Sequence, residues 1–218
     1  MAEFYIDTAN FEQLDKAYKT GLFKGITTNP SIIKKENKPR FEVLKEISTL
    51  KPDILFAQVI GDTYEERVRD FYSLLEFCNN HEIIFGPKIP VDMIGLNLIA
   101  HIVGAHPELD ILGTAIYSAD QAILATQLGC HYLAPYYNRM MNENIDANKE
   151  LRTMRNFIDN HGHDTKILCA SFKNSKQVMD ALENGSHCVT LPYDVFESMI
   201  NKKLATQAIE VFNRDGRE

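Results

Sequence analysis

The sequence lacks the features that mark secreted, membrane-spanning and nucleic-acid-binding chains. It holds no apolar stretch as long as the roughly 18 residues that a membrane-spanning helix requires. Its first ten residues, MAEFYIDTAN, contain no basic segment followed by a long apolar region, so we expect no signal peptide. Acidic residues outnumber basic ones by 30 to 23, which disfavours a surface for nucleic acid or an anionic membrane. A local basic pocket for a small phosphorylated ligand remains compatible with this charge.

Paired cysteines are missing as well. The four cysteines, Cys78, Cys130, Cys169 and Cys188, form no CxxC motif. Isolated cysteines in apolar surroundings are typical of buried free thiols in a reducing compartment. We therefore expect a cytoplasmic protein whose thiols form neither disulfides nor a metal site.

No linker rich in proline, glycine or serine divides the chain, and no GxGxxG or P-loop motif is present. Instead, short apolar runs alternate with longer amphipathic segments. The runs are FYIDT, KGITT, ILFAQVI, EIIFGPKI, LDILGTAIY, HYLAPYY, TKILCAS and HCVTLP. Near-continuous apolar strands joined by helices indicate a parallel sheet that is covered on both faces. The prediction is one α/β domain, a (β/α)8 TIM barrel over residues 1–218, with residues 202–213 as an extra C-terminal helix; an open doubly wound sheet is the alternative.

Polar side chains collect where these runs end. In a (β/α)8 barrel the active site lies at the C-terminal ends of the strands and in the loops that follow them. The polar residues at those positions are Asp7, Thr8, Thr27, Thr28, Asn29, Gln58, Lys88, Thr114, Tyr136, Asn138, Arg139, Ser171 and Lys173. Such convergence at one end of the predicted barrel indicates a catalytic or binding site.

Lys88 is the most informative of these residues. It lies within the apolar stretch EIIFGPKIPVD, between Pro87 and Pro90. A lysine at a strand end usually packs its stem and extends its ammonium into water. At the centre of a ring of hydroxyl and amide groups, however, burial disfavours the ammonium form and leaves an amine that can attack a carbonyl. We predict a Schiff-base lysine at this position. Lys24, Lys166 and Lys173 are rivals, but Lys24 and Lys166 lie at strand starts, the opposite end of the barrel.

Seven motifs in order, IDTAN, GITTNPSII, FAQV, PKIPV, LGTAIY, APYYNR and ASFK, resemble the transaldolase family. The likeness is greatest to its small subfamily, which includes fructose 6-phosphate aldolase, and it covers nearly the whole chain. It implies a (β/α)8 barrel that uses a lysine–ketose Schiff base, needs no metal or other cofactor, and acts on sugar phosphates. It also implies a ring-shaped homo-oligomer formed through residues 202–213, with a decamer as one candidate and the subunit count left open.

The resemblance also implies a role for each catalytic candidate. Lys88 matches the Schiff-base lysine, Asp7 the aspartate that handles the released proton, and Thr114 the threonine that holds a catalytic water. Larger transaldolases typically have glutamate and phenylalanine where this chain has Gln58 and Tyr136. Because a phenol beside the imine can protonate the enamine, Tyr136 favours reversible cleavage of fructose 6-phosphate to dihydroxyacetone and glyceraldehyde 3-phosphate. Transfer of the dihydroxyacetone unit from sedoheptulose 7-phosphate or fructose 6-phosphate to an aldose phosphate is the alternative.

The remaining candidates are implied to bind substrate. Asn29 is implied to hydrogen-bond the hydroxyls of the donor sugar, and Thr27 and Thr28 to shape the same part of the site. Arg139 and Ser171 are implied to bind the phosphate, with Lys173 as a helper. Arginine suits this task because its planar guanidinium can grip a phosphate with two hydrogen bonds.

Some positions depart from the family pattern. Gly86 and Pro87 stand before the lysine where apolar residues are usual, and Asp92 brings a carboxylate close to it in sequence. A glycine-rich segment is replaced by MMNENIDANKE. Two other functions stay open: a sugar-phosphate isomerase or epimerase, and a binder without catalysis. The first would need histidine or carboxylate clusters at strand ends, and the second would not need Lys88 together with its polar neighbours.

Overall fold

The computed structural model describes residues 2–217, and at its centre lies a closed barrel of eight parallel strands in chain order. Each strand pairs with the next, and the first pairs with the last. The strands are β1 (Glu3–Asp7), β2 (Phe23–Thr27), β3 (Ile54–Gln58), β4 (Phe85–Pro90), β5 (Leu112–Ile116), β6 (Tyr132–Pro135), β7 (Lys166–Cys169) and β8 (Cys188–Leu191). Each overlaps one of the apolar runs, so the predicted (β/α)8 barrel is confirmed.

Helices surround the barrel, with two helices instead of one after β2, β6 and β8. They are α1 (Phe11–Tyr18), α2 (Pro30–Lys34), α3 (Arg40–Ser48), α4 (Tyr64–Asn80), α5 (Met93–Ala105), α6 (Ala119–Gln127), α7 (Tyr137–Asn142), α8 (Ala147–Asn160), α9 (Ser175–Glu183), α10 (Tyr193–Ile200) and α11 (Lys203–Asp215). Six begin at a residue whose side chain caps the helix by accepting a backbone N–H three positions on: Asn10, Asn29, Thr63, Asp92, Asp146 and Asn174. No helix within residues 2–217 has the length and apolar character that would let it cross a membrane.

Two apolar layers hold the barrel together, one inside it and one between the strands and the helices. Tyr5 and Phe56 belong to the inner layer, where their ring centroids lie 6.0 Å apart. Ile6 and Leu55, their neighbours in sequence, belong to the outer layer. This alternation follows from the strand geometry, in which successive side chains point to opposite faces. The aromatic inner layer fills the barrel beneath its C-terminal end.

Gly86 and Pro87, which depart from the family pattern, are explained by their neighbours. The ring of Phe56 occupies the space beside Gly86: a Cβ atom at that position would lie 2.3 Å from Phe56 Cδ1. Pro87 stays in register with β3, and the pairing of β4 with β5 begins only at Lys88. Pro87, which lacks an N–H, therefore lies before the pairing of β4 with β5 begins. Lys88 lies where β4 pairs with both β3 and β5.

The N-terminal end of the barrel carries a charged cluster. Lys24 Nζ lies 2.8 Å from Glu3 Oε1, and Lys166 Nζ lies 3.1 Å from the same oxygen. Burial of this carboxyl acts in the opposite direction, but the hydrogen bonds from the two lysines lower the pKa of Glu3 to about 2. Two of the three lysines that rivalled Lys88 in the sequence, Lys24 and Lys166, are thus ion-paired at the starts of their strands.

The last helix stands apart from the barrel core. It begins one residue later and ends two residues later than the expected 202–213 segment, and none of its residues is buried. Leu204 and Phe212 are 79% and 69% exposed.

All four cysteines are free and buried, and burial raises the pKa of each thiol.

Candidate active site

A cavity of about 560 Å³ opens at the C-terminal end of the barrel, where the strand-end residues meet. Its lining includes eight of the predicted site residues, namely Asp7, Asn29, Gln58, Lys88, Tyr136, Arg139, Ser171 and Lys173. Thr27, Thr28 and Thr114 are not part of the lining and are fully buried beneath it. The structure therefore brings the predicted set together, with the three threonines supporting it from below.

Lys88 lies deep in the cavity and is 3% exposed. Its Nζ donates a hydrogen bond of 3.0 Å to the backbone carbonyl of Thr28. The hydroxyl of Thr28 in turn donates to the carbonyl of Phe56, which ties the end of β2 to β3. Thr28 thus binds Lys88 through its backbone carbonyl, while its side-chain hydroxyl links the end of β2 to β3.

Asp7 lies at the end of β1, lines the cavity and is bound from below. Thr27 donates a hydrogen bond of 2.7 Å to Asp7 Oδ1, and no other hydrogen bond reaches this carboxylate from residues 2–217. Burial raises the pKa of Asp7, while the positive charge of Lys88 and the bond from Thr27 act against that rise. A half-buried carboxylate of raised pKa that interacts with the charge of a nearby amine is suited to accept a proton during a reaction.

Tyr136 directly follows β6 and contacts Thr114, Arg139 and Tyr117. Its hydroxyl lies 3.0 Å from Thr114 Oγ1, and either oxygen can be the donor. The guanidinium of Arg139 lies over its ring, 4.8 Å from the centroid. The ring of Tyr117 meets it edge-on at 5.6 Å, and the hydroxyl of Tyr117 accepts a hydrogen bond of 3.2 Å from Arg139 Nη1. Phenol, hydroxyl and guanidinium therefore form one connected group.

Asn29 and Gln58 line the cavity beside Lys88. Asn29 caps α2, since its side-chain oxygen accepts the N–H of Ile32 at 3.0 Å, and this leaves its amide N–H₂ for a ligand. Gln58 pairs in register with Lys88, and its backbone carbonyl accepts a hydrogen bond of 2.5 Å from Arg40. Because of this register, Gln58 and Lys88 lie side by side at the same level of the barrel, and both line the cavity.

Two strained residues shape the rim. Ala115 has φ of 57° and Ser171 has φ of 66°, a region that residues other than glycine seldom adopt. Both line the cavity, and the carbonyl of Ser171 accepts the N–H of Asn138 at 3.1 Å. Non-glycine residues in this conformation cluster at functional sites. Together with Arg139 and the exposed Lys173, Ser171 gives this side of the cavity the donors and positive charge that suit a phosphate.

Asp92 has a different role from the one its position in the sequence suggested. Both of its carboxylate oxygens are bound by Arg67, at 2.6 and 2.7 Å, and Oδ1 also caps α5 at Gly95. The hydrogen bonds from Arg67 lower the pKa of Asp92. Its charge is thus neutralised by arginine. Tyr137, to which the sequence assigned no role, is buried and donates to Asn148 outside the cavity.

Sequence reasoning missed further polar residues at or beneath the cavity, among them Lys35, Tyr117, Thr190 and Asp194. Lys35 and Asp194 lie in helical or loop segments that gave no strand-end signal. Tyr117 follows β5 in the run LDILGTAIY, and its position after a strand could have marked it. Among residues 2–217, no group of three or more His, Cys, Asp or Glu side chains is placed to hold a metal ion.

Fold and site together define a (β/α)8 barrel with a polar, lysine-centred pocket at the C-terminal ends of its strands. The family model described as transaldolase/fructose-6-phosphate aldolase matches residues 4–217. The chain belongs to this family. The fold of thiamine phosphate pyrophosphorylase from Pyrococcus furiosus is also similar, with a TM-score of 0.61 over 87% of this chain and 85% of that one, but the 15% identity shows the fold alone.

Curated relatives extend over the same length. A probable fructose-6-phosphate aldolase from Streptococcus pneumoniae (strain ATCC 700669 / Spain 23F-1) is 37% identical over 98% of this chain and 95% of its own. A probable transaldolase from Geobacillus sp. (strain WCH70) is 32% identical over 98% of this chain and 97% of its own. Aldolases and transaldolases are therefore both represented among the proteins that this chain resembles.

Proposed function

We propose that the chain is a class I aldolase that cleaves fructose 6-phosphate reversibly to dihydroxyacetone and glyceraldehyde 3-phosphate. The observation that carries the proposal is the position of Lys88, buried at the base of a cavity whose rim holds Arg139. Its ammonium takes part in no salt bridge with residues 2–217 and is held by a carbonyl oxygen. Such an amine is shielded from water and available to a carbonyl carbon.

The reaction would proceed through a Schiff base. The amine of Lys88 adds to C2 of the ketose, and water leaves. Asp7 takes the hydrogen of the C4 hydroxyl as the C3–C4 bond breaks, and the electrons of that bond form an enamine. Tyr136 gives its phenolic proton to C3, and a water held near Thr114 and Gln58 hydrolyses the imine. The proton that Asp7 received balances the one that Tyr136 gave.

The proposed substrate lies between the lysine and the basic rim. Its phosphate would meet Arg139, Ser171 and Lys173, while the hydroxyls of the dihydroxyacetone part would meet the amide of Asn29. The cavity volume of about 560 Å³ is ample for a hexose phosphate. Binding energy at the phosphate then orients C2 toward the amine.

Transaldolase activity is the second candidate, supported by the names of relatives such as the one from Geobacillus. In that reaction the enamine on Lys88 waits for an aldose phosphate. The phenol of Tyr136 favours the aldolase, because protonation at C3 competes with attack on a second aldehyde.

A paired experiment tests the proposal, with EDTA present throughout. One sample receives fructose 6-phosphate and borohydride, and the Lys88 peptide is examined by mass spectrometry for a reduced three-carbon or six-carbon adduct. The other receives the ketose with or without erythrose 4-phosphate, and free dihydroxyacetone is measured. An adduct with dihydroxyacetone released in the absence of acceptor supports the aldolase. An adduct with turnover only when acceptor is present supports the transaldolase, and an unmodified Lys88 contradicts both.

We also propose that the protein is a cytoplasmic homo-oligomer in which α11 contacts a second copy. Support for the contact comes from the exposed apolar residues Leu204, Ile209 and Phe212 on this helix, and support for a reducing compartment from the free thiols. Phe212→Asp should lower the mass measured by light scattering after size-exclusion chromatography. Thr206→Asp, on the same helix, is the matched control, and an unchanged mass for Phe212→Asp would argue against the contact.

A further inference from the structure

Beneath the cavity, three polar side chains form a line across the inside of the barrel. Thr190 Oγ1 on β8 lies 2.7 Å from Thr27 Oγ1 on β2, and Thr27 Oγ1 lies 2.7 Å from Asp7 Oδ1 on β1. The two threonines are 1% and 0% exposed, and neither lines the cavity. Thr190 therefore cannot act on a substrate directly.

The number of hydrogens gives this line a direction. Each hydroxyl has one hydrogen to donate, whereas an ionised carboxylate can only accept. While Asp7 is ionised, Thr27 donates to Asp7, and the lone pairs of Thr27 accept the hydrogen of Thr190. When Asp7 holds a proton, the same distances allow the reverse arrangement, in which Asp7 donates to Thr27 and Thr27 donates to Thr190.

We propose that Thr190 is a positioning residue for proton transfer at Asp7, because it lets the Thr27 hydroxyl serve as donor to the carboxylate and as acceptor from the carboxylic acid. The inference rests on the proposed function, in which Asp7 takes the hydrogen of the C4 hydroxyl. No proton leaves the line: the O–H bond of the substrate breaks, an O–H bond forms on Asp7, and the two threonine hydrogens rotate about their C–O bonds. Linked hydrogen bonds of this kind strengthen one another.

The surroundings of Asp7 decide how a change at Thr190 is detected. Charged and titratable groups line the cavities around Asp7 from β4, the segment after α2, the segments after β5 and β6, α7, the loop after β7 and α10. They are Lys88, Lys35 with Glu36, Tyr117, Tyr136, Arg139, Lys173, Tyr193 and Asp194. A substitution at Thr190 leaves all of them in place. A shift in the acid limb of the pH profile would therefore report the loss of the hydroxyl line.

Thr190→Val replaces the hydroxyl with a methyl group of similar size. We expect kcat for cleavage of fructose 6-phosphate to fall about tenfold, in keeping with the loss of one hydrogen bond in a charged network, while KM changes less than about twofold. The carboxylate loses more than the carboxylic acid, because hydrogen bonds to charged groups are stronger. The acid limb of kcat should accordingly move to higher pH by about half a unit. Thr190→Ser, which keeps the hydroxyl, should restore both.

Controls separate this role from a loss of packing. Thr126→Val removes another buried hydroxyl, which donates to the Ala122 carbonyl within α6, and should leave kcat and the pH profile unchanged. Thr190→Ala is a second deletion in case the valine variant does not fold, as judged by circular dichroism. A wild-type kcat and acid limb in the folded Val or Ala variant, or a Ser variant as slow as Val, would overturn the inference.

Borohydride trapping distinguishes the two levels of the proposal. Thr190→Val should still form the Lys88 adduct, since the line does not touch the amine. Trapping in wild type and in this variant, with unchanged kcat, would leave the proposed function standing and remove the role of Thr190. Absence of trapping in wild type would instead overturn the proposed function, and the inference with it.

Discussion

The lysines at the two ends of the barrel have different kinds of partner. At the N-terminal end, Lys24 and Lys166 share the carboxylate of Glu3, at 2.8 and 3.1 Å. At the C-terminal end, Lys88 is more deeply buried, yet its partner is the carbonyl of Thr28 at 3.0 Å. The same residue type is therefore held by a full negative charge at one end and by a dipole at the other.

In the proposed mechanism, this difference separates a structural lysine from the reactive one. The hydrogen bond with Glu3 raises the pKa of Lys24, which fixes its ammonium form and ties β1 to β2. Lys88 donates instead to the neutral carbonyl of Thr28, so no ion pair has to break for its amine to react as proposed. Burial without a salt bridge costs stability, and such a cost is typical of functional sites.

Replacing Lys88 tests the comparison with the largest effect. Lys88→Met should abolish the borohydride adduct and lower the cleavage rate by roughly 10³-fold or more, since the covalent route is lost. The variant should melt at the same or a higher temperature than wild type, because a buried polar group is replaced by an apolar one. Assays with fructose 6-phosphate and thermal melting measure the two quantities.

Lys166→Met is the matched control at the other end. It should keep the adduct and the rate while losing stability, by about 0.5–1 kcal/mol, because its ion pair is partly exposed. Cleavage at the wild-type rate by Lys88→Met, or loss of the rate in Lys166→Met, would break the distinction between the two ends.

Tyr136→Phe sharpens the account of the C-terminal end. Loss of the phenol, which lies 3.0 Å from Thr114 Oγ1, removes the proposed donor to C3 and should lower acceptor-free cleavage by about 10²-fold. Transfer to erythrose 4-phosphate should fall much less, since that reaction needs no proton at C3. The ratio of free dihydroxyacetone to transfer product measures the partition, and an unaltered ratio would contradict the role given to the phenol.

Glu3→Gln tests the N-terminal end through stability. The pKa of Glu3 is lowered from 4.5 to about 2, so its contribution is complete above pH 4.5 and is lost as the pH falls toward 2. Glu3→Gln should lower the free energy of unfolding by about 1–2 kcal/mol near neutral pH, a value reduced because both lysines are partly exposed. Urea titrations of both proteins should show the difference shrinking in acid, with unchanged kinetics near neutral pH. If the difference in the free energy of unfolding instead grew in acid, the ion pairs of Glu3 would not be its cause.

Local sequence was sufficient for the barrel and for its lysine. Each strand is an apolar run, and polar residues at its end mark the C-terminal end of the barrel. The sequence alone therefore placed Lys88 and Asp7 at that end. The sequence places Asp92 four positions after Lys88 but does not reveal its partner: its carboxylate is bound by Arg67, which precedes it by 25 residues. The pairing depends on how α4 packs beside α5, which periodicity does not reveal.

The supporting residues required the closed barrel. Thr190 looks like an ordinary β-branched strand residue in HCVTLP, and only closure of the sheet brings it to Thr27, which is 163 positions away. Tyr117 bonds Arg139 across 22 positions for a similar reason, because β5 and β6 are neighbours. Sequence patterns identify groups that face a cavity, whereas the groups that hold them depend on the tertiary structure.

Tyr117→Phe is the finest test at the C-terminal end, because it removes one hydroxyl and keeps the ring that meets Tyr136. Arg139 loses the 3.2 Å hydrogen bond from its Nη1 while its contact with the Tyr136 ring remains. KM for fructose 6-phosphate should rise about three- to tenfold with kcat nearly unchanged, as expected when one hydrogen bond that orients a phosphate ligand is lost. Addition of dihydroxyacetone to unphosphorylated glyceraldehyde should be unaffected, since it makes no demand on Arg139. An equal loss in fructose 6-phosphate cleavage and in addition to glyceraldehyde would place Tyr117 with the reacting carbons instead of the phosphate.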